Sequence, residues 1–164
     1  MSVTPGEADA ALGEIEARIA RRPGAGSLGE VCEYLRRTFP HYRWVGIYRL
    51  NGAMLDLSAW NGPAATEHTR IPIGSGICGR AAREDRTVIV DDVRVAPEYL
   101  ACFRETRSEI VVPIHRDGRV LGEIDIDGNE VGAFDGTDRA FLERVAERLT
   151  GPLSSEASGR GPHA

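Results

Sequence analysis

The chain has 164 residues, 41% hydrophobic and 27% charged, a balance that suits one globular domain with a single core. A formal net charge of −5 and scattered arginines argue against a phosphate-binding stripe, so nucleic acid is not an expected partner. No stretch approaches the roughly 18 uninterrupted apolar residues of a membrane span, and the opening MSVTPGEADAALGE lacks a basic-then-apolar leader, which predicts a cytoplasmic protein with no membrane partner.

From about Glu7 to Arg21, Ala8, Ala11, Leu12, Ile15 and Ile19 recur at helical spacing until Pro23, Gly24 and Gly26 interrupt them. Ser27, with Glu30 three residues on, reads as a capping box for a second helix with the stripe Leu28, Val31, Cys32, Leu35 and Phe39, ended by Pro40. Strand-forming residues fill Tyr42 to Leu50 and Met54 to Trp60, and Asn51-Gly52 between them is a hairpin signal. A short strand at Arg70 to Ile73 follows. Gly74, Gly76 and Gly79 then bracket Cys78 at the entry to a short helix through Ala82.

Thr87 to Val90 reads as a brief strand, and Asp91 to Arg107 as a polar, irregular excursion that holds Cys102. Two further strands, Glu109 to His115 and Val120 to Asp127, meet around Arg116-Asp117-Gly118, and a closing helix from Asp138 to Leu149 presents Phe141, Val145 and Leu149. After Gly151-Pro152 the small, polar LSSEASGRGPHA lacks an apolar stripe and predicts disorder. The expected organisation is a single domain over 1–151 and a disordered tail over 152–164. The expected fold class is α+β, a mostly antiparallel sheet of about six strands with N- and C-terminal helices packed on it.

In GEIDID, Glu123, Asp125 and Asp127 share one strand face and Ile124 and Ile126 the other. Alternation of this kind suits a solvated face. The alternative is a binding pocket, and the hairpin register bears on it. A three-residue loop places Glu109 opposite Asp125, and like charges there call for a bound cation or a shared proton; a two-residue Asp117-Gly118 turn places Glu109 opposite Ile126. A bulge alters both registers.

Three cysteines in a reducing compartment are expected as free thiols, with Cys32 on a helix stripe read as core. His41, His68, His115 and His163 share no ligand spacing and no CxxC occurs, so neither a metal site nor a cofactor is expected. Trp60 reads as packing.

Four ordered segments carry a resemblance: WVGIY at Trp44 to Tyr48, GSGICG around Cys78, LAC followed by SEIVVPI between Leu100 and Ile114, and LGEIDID ending at Asp127. Over roughly Trp44 to Leu149 the chain resembles GAF domains, and specifically stand-alone free methionine-(R)-sulfoxide reductases. The resemblance implies a GAF-like fold and a cytoplasmic, commonly dimeric enzyme that reduces the free amino acid's R-sulfoxide with thioredoxin or another dithiol. It places the nucleophile on Cys102, the pocket acids on Glu109, Asp125 and Asp127, and the pocket tryptophan on Trp44. In that scheme Glu109 protonates the departing oxygen, Asp125 and Asp127 hold the substrate ammonium, and Trp44 walls the thioether end. Cys102 is left as a sulfenic acid for a second thiol to reduce.

Where many members have a recycling cysteine, ten residues before Cys78, this chain has His68, and Tyr99 and Phe103 stand where the family usually has histidine and aspartate. Recycling then falls to Cys78, whose position near a helix N-terminus favours its thiolate, or to an external thiol. Two other functions fit a GAF-like chain: a non-catalytic sensor of a small ligand, and a peroxide switch in which Cys102 is oxidised directly.

Overall fold

The computed structural model describes residues 2–101 and 103–158, with only the backbone of 155–158. Helix α1, Pro5–Arg21, begins ahead of its apolar stripe because Thr4 caps it. The Thr4 hydroxyl accepts from the Glu7 N–H at 3.3 Å, and the Glu7 carboxylate accepts from the Thr4 N–H at 2.8 Å. Helix α2, Gly26–Thr38, forms without the expected Ser27–Glu30 box. Ser27 lies inside the helix and donates to the Gly24 carbonyl at 2.9 Å, while Glu30 pairs with Arg22 at 3.7 Å.

The sheet strands are β1 (Trp44–Asn51), β2 (Met54–Asn61), β3 (Arg70–Pro72), β4 (Val88–Val90), β5 (Ser108–Arg116) and β6 (Arg119–Gly128), in the order β3-β2-β1-β6-β5-β4. Every pairing is antiparallel, as the α+β reading expects. A two-residue Gly52-Ala53 loop joins β1 to β2, with Gly52 at φ 62° in the left-handed region that glycine enters without penalty. Helix α3, Gly76–Glu84, follows β3, and one 3-10 turn, Val93–Val95, interrupts the long excursion before β5.

The two sheet faces are covered differently. Val45, Ile47, Ile110, Val112, Ile114, Ile124 and Ile126 pack under α1, α2 and the closing helix α4, Gly136–Ser158. Asp138 anchors the start of α4 from a fully buried position, accepting from the Tyr42 hydroxyl at 2.8 Å and the Asp135 N–H at 2.9 Å. The opposite face lies under α3, where Ile77, Cys78 and Ala81 meet Trp44, Tyr48, Leu55, Ile71, Val88 and Val111. No helix among the described residues is long and apolar enough to cross a membrane.

Residues 152–158 correct the predicted tail. Instead of ending near Leu149, α4 continues through Pro152, and Leu153, four residues after Leu149, is buried in the core. Gly122 makes room for it, since a Cβ there would meet the Leu153 methyl and the Tyr48 carbonyl. The sequence 159–164 lies outside the described residues. Leu153→Ala should therefore lower stability by about 3 kcal/mol, read as a reduced urea midpoint. An unchanged midpoint would place this segment outside the folded unit.

Candidate active site

The acids of β6 sit in the middle of the α3 face. Across β1, Trp44 pairs with Asp127, Gly46 with Asp125 and Tyr48 with Glu123; across β5, Glu109 pairs with Asp127 and Val111 with Asp125. Neither expected register for Glu109 occurs. The turn is the two-residue Asp117-Gly118 form, with φ 53° and 73°, but an irregularity after Ile114 leaves one extra residue on β6, which shifts the partner from Ile126 to Asp127. The like-charge opposition survives with a different partner.

Burial overturns the solvated-face reading. Glu109 is 5% exposed, Glu123 0%, Asp125 2% and Asp127 3%. Cys78, in the first turn of α3, brings its sulfur 4.0 Å from Glu109 Oε1, and the donor atoms of Cys78, Glu109 and Asp125 lie within 4.8 Å of one another.

Such a cluster is costly to ionise. Burial holds the Glu123 carboxyl well above the usual range, and neighbouring Asp125 adds to the effect. Neither Glu123 oxygen has a hydrogen-bond partner of ordinary length among the described residues; the nearby thiol offsets the shift only in part. Burial also raises Asp127, ahead of repulsion from Asp125, although the Thr106 hydroxyl donates to it at 3.3 Å. Asp125 is raised by burial and partly relieved by hydrogen bonding with Glu109 and Cys78.

The Cys78 thiol is pushed far up, by burial first and then by Asp125, Glu123 and Glu109. This corrects the expectation that its helix N-terminus favours a thiolate: a partial dipole charge does not offset desolvation together with three acids. Cys32 is fully buried on the other face and raised by burial, as a core residue should be. Cys102 lies outside the described residues. Its chain neighbours do not: the Ala101 carbonyl is 3.3 Å from His68 Nε2, and Phe103 packs against Trp44 at 6.0 Å between ring centroids.

Trp44 is held on several sides. Its Nε1 donates to the Ala64 carbonyl at 3.2 Å, and its ring stacks on Trp60 at 6.3 Å and 11°. Gly46 and Gly62 lie so close to the indole that a Cβ at either would collide with it. Trp44, Phe103, Thr106, Asp127, Arg43 and Asn129 line a cavity of about 310 Å³. A larger cavity of about 370 Å³ beside His41 and Glu130 is lined by no acid of the row, whereas Asp127 lines the smaller one.

The structure thus brings together Trp44, Cys78, Glu109, Asp125 and Asp127, and adds residues to which the sequence reading gave no individual site role. Glu123 is more deeply buried than its neighbours. Thr106 supports Asp127, and the Tyr48 hydroxyl donates to the His68 carbonyl at 2.8 Å. Pairing the WVGIY strand with GEIDID would have pointed to Gly46 and Tyr48.

The GAF domain family model matches residues 27–150. The chain belongs to the GAF domain family. Among this GAF domain's relatives, the free methionine-R-sulfoxide reductase of Saccharomyces cerevisiae is 43% identical over 110 residues, 65% of this chain and 60% of that protein. The Escherichia coli protein of the same name is 32% identical over 129 residues, 79% of this chain and 77% of that one. The Neisseria meningitidis free methionine-R-sulfoxide reductase, solved in complex with its substrate, superposes with a TM-score of 0.85 at 34% identity, covering 94% of this chain and 92% of that one.

Raised carboxyls make a prediction about this GAF domain's stability. Glu123 and Asp127 bind protons more tightly folded than unfolded, so their contribution is fully present below the unfolded values of 4.5 and 3.8 and is lost as pH rises through the higher folded ones. The urea midpoint of metal-free protein should fall as pH rises from 4.5 toward neutrality, and Glu123→Gln should flatten that fall. Equal slopes for the two proteins would remove Glu123 as a buried proton-holding group.

Proposed function

We propose that this GAF domain reduces free methionine-(R)-sulfoxide to methionine, with Cys102 as nucleophile and with thioredoxin or another dithiol as reductant. The observation that carries the reading is the buried acid row, whose Asp127 lines an aromatic-walled cavity of about 310 Å³, a volume suited to one small amino acid. The named reductases among its relatives supply the reaction class.

Each group then has a physical task. A substrate ammonium beside Asp125 and Asp127 favours their ionised forms, so binding a cation offsets the burial that raises both and the repulsion that adds to it at Asp127. Trp44 and Phe103 offer ring faces to the methyl thioether end. The Cys102 sulfur attacks the sulfoxide sulfur, Glu109 gives a proton to the oxygen, and the oxygen passes to Cys102 as methionine leaves. The cysteine ends as a sulfenic acid, two electrons oxidised, and the sulfoxide is reduced by two.

A first external thiol displaces water from the sulfenic acid to form a mixed disulfide, and a second thiol releases Cys102. His68 occupies the usual recycling position, while Cys78 is buried and held protonated, so an external thiol is the favoured route. In the same proposal the enzyme works as a homodimer in the cytoplasm.

Methionine release from the free R-sulfoxide should be abolished by Cys102→Ser. Glu109→Gln should lower kcat/KM by about 100-fold, and Trp44→Ala should act mainly by raising KM. With dithiothreitol, Cys78→Ser should still release many methionines per chain; one per chain would make Cys78 the recycling thiol. A folded wild type with no turnover would overturn the proposal.

A further inference from the structure

Apart from the 310 Å³ cavity, a second space of about 10 Å³ is lined by Cys78, Glu109 and Asp125 together with Ile71, Ile77 and Leu100. That is room for about one water-sized guest. Its three polar walls are 4%, 5% and 2% exposed, and theirs is the one group of three potential ligands found among the described residues.

The Asp125 side chain hydrogen-bonds with Glu109 and Cys78, but its Oδ1 has no hydrogen-bond partner of ordinary length among the described residues. A deeply buried acceptor without a partner is rare in a folded protein and marks a place where a donor or cation is due. The three donor atoms, within 4.8 Å of one another, must draw together to share one ion. On a common tetrahedral zinc, sulfur and carboxylate oxygen stand about 3.6 Å apart, given bonds of about 2.3 and 2.1 Å. The Cys78 sulfur and Glu109 Oε1, 4.0 Å apart, need to close by only a few tenths of an ångström. One sulfur with two carboxylates suits a borderline-soft ion, whereas magnesium and calcium take larger shells of oxygen.

We propose that Cys78, Glu109 and Asp125 bind one divalent cation of the zinc class, with a fourth position open to water. As the metal–sulfur bond forms, the Cys78 proton goes to solvent. The dication then offsets two of the three negative charges that the ionised donors carry. Glu109 and Asp125 are also the proposed proton donor and ammonium ligand, so an occupied site shuts the reductase off; this consequence alone rests on the reductase reading.

The direct test adds Cd²⁺ to the metal-free full chain and follows thiolate-to-metal charge-transfer absorbance together with proton release. One Cd²⁺ should bind per chain. The band should persist in Cys102→Ser, vanish in Cys78→Ser, be weakened at least tenfold in affinity by Asp125→Asn, and be displaced by Zn²⁺. Circular dichroism and urea midpoints check folding, and Asp125→Asn decides the matter if Cys78→Ser fails to fold. No band in folded wild type, a band that survives Cys78→Ser, or unchanged affinity in Asp125→Asn would overturn the site. Methionine release is assayed separately, with Zn²⁺ expected to inhibit and EDTA to restore. An active enzyme without the band refutes only the metal site, and a bound metal in an inactive protein refutes only the reductase reading.

Discussion

A row of carboxyls taken out of water sets the terms for the rest of this structure. Glu123, Asp125 and Asp127 lie in a central strand with Glu109 beside them, all nearly inaccessible to solvent. Ionised together in such a place they would repel one another without solvation, and burial accordingly raises Glu123, Asp125 and Asp127 above the usual carboxyl range. The cost of that arrangement falls on the opposite face, where isoleucines of β5 and β6 pack against α1, α2 and α4. Small residues then let cover approach the row: Gly46 sits opposite Asp125, and Gly79 brings α3 against the backbone of Pro72 and Ile73.

The same constraint links binding to protonation. A cation beside Asp125 and Asp127 offsets the burial that raises both carboxyls. Cys78, buried and facing Asp125, Glu123 and Glu109, is held as a thiol. Any nucleophile needs a setting less acidic than that one.

Much of this was legible in the sequence because it depends on local pattern. The alternation in GEIDID placed its acids on one face, the Asn51-Gly52 signal marked the first hairpin, and glycines around Cys78 marked the start of α3. What escaped depended on contacts between distant segments. The irregularity near Ile114 shifts Glu109 by one partner, and no residue there announces it. The helical stripe does reach Leu153, but Pro152 and the polar sequence beyond it read as an end, while burial against Gly122 favours continuation. The state of Cys78 follows from burial and from acids 31 to 47 residues away along the chain, and helix position alone pointed the other way. Activity itself came from ordered motifs shared with a family, not from periodicity.

The account stands or falls on the protonation of the buried row, which side-chain ¹³C-carboxyl NMR of the metal-free protein reads directly. Glu123 and Asp127 should keep the chemical shifts of protonated carboxyls at neutral pH, and the Asp125 and Asp127 signals should move toward the ionised form when free methionine-(R)-sulfoxide is added. Carboxyl signals that are all ionised by pH 5 in the substrate-free protein would contradict the account.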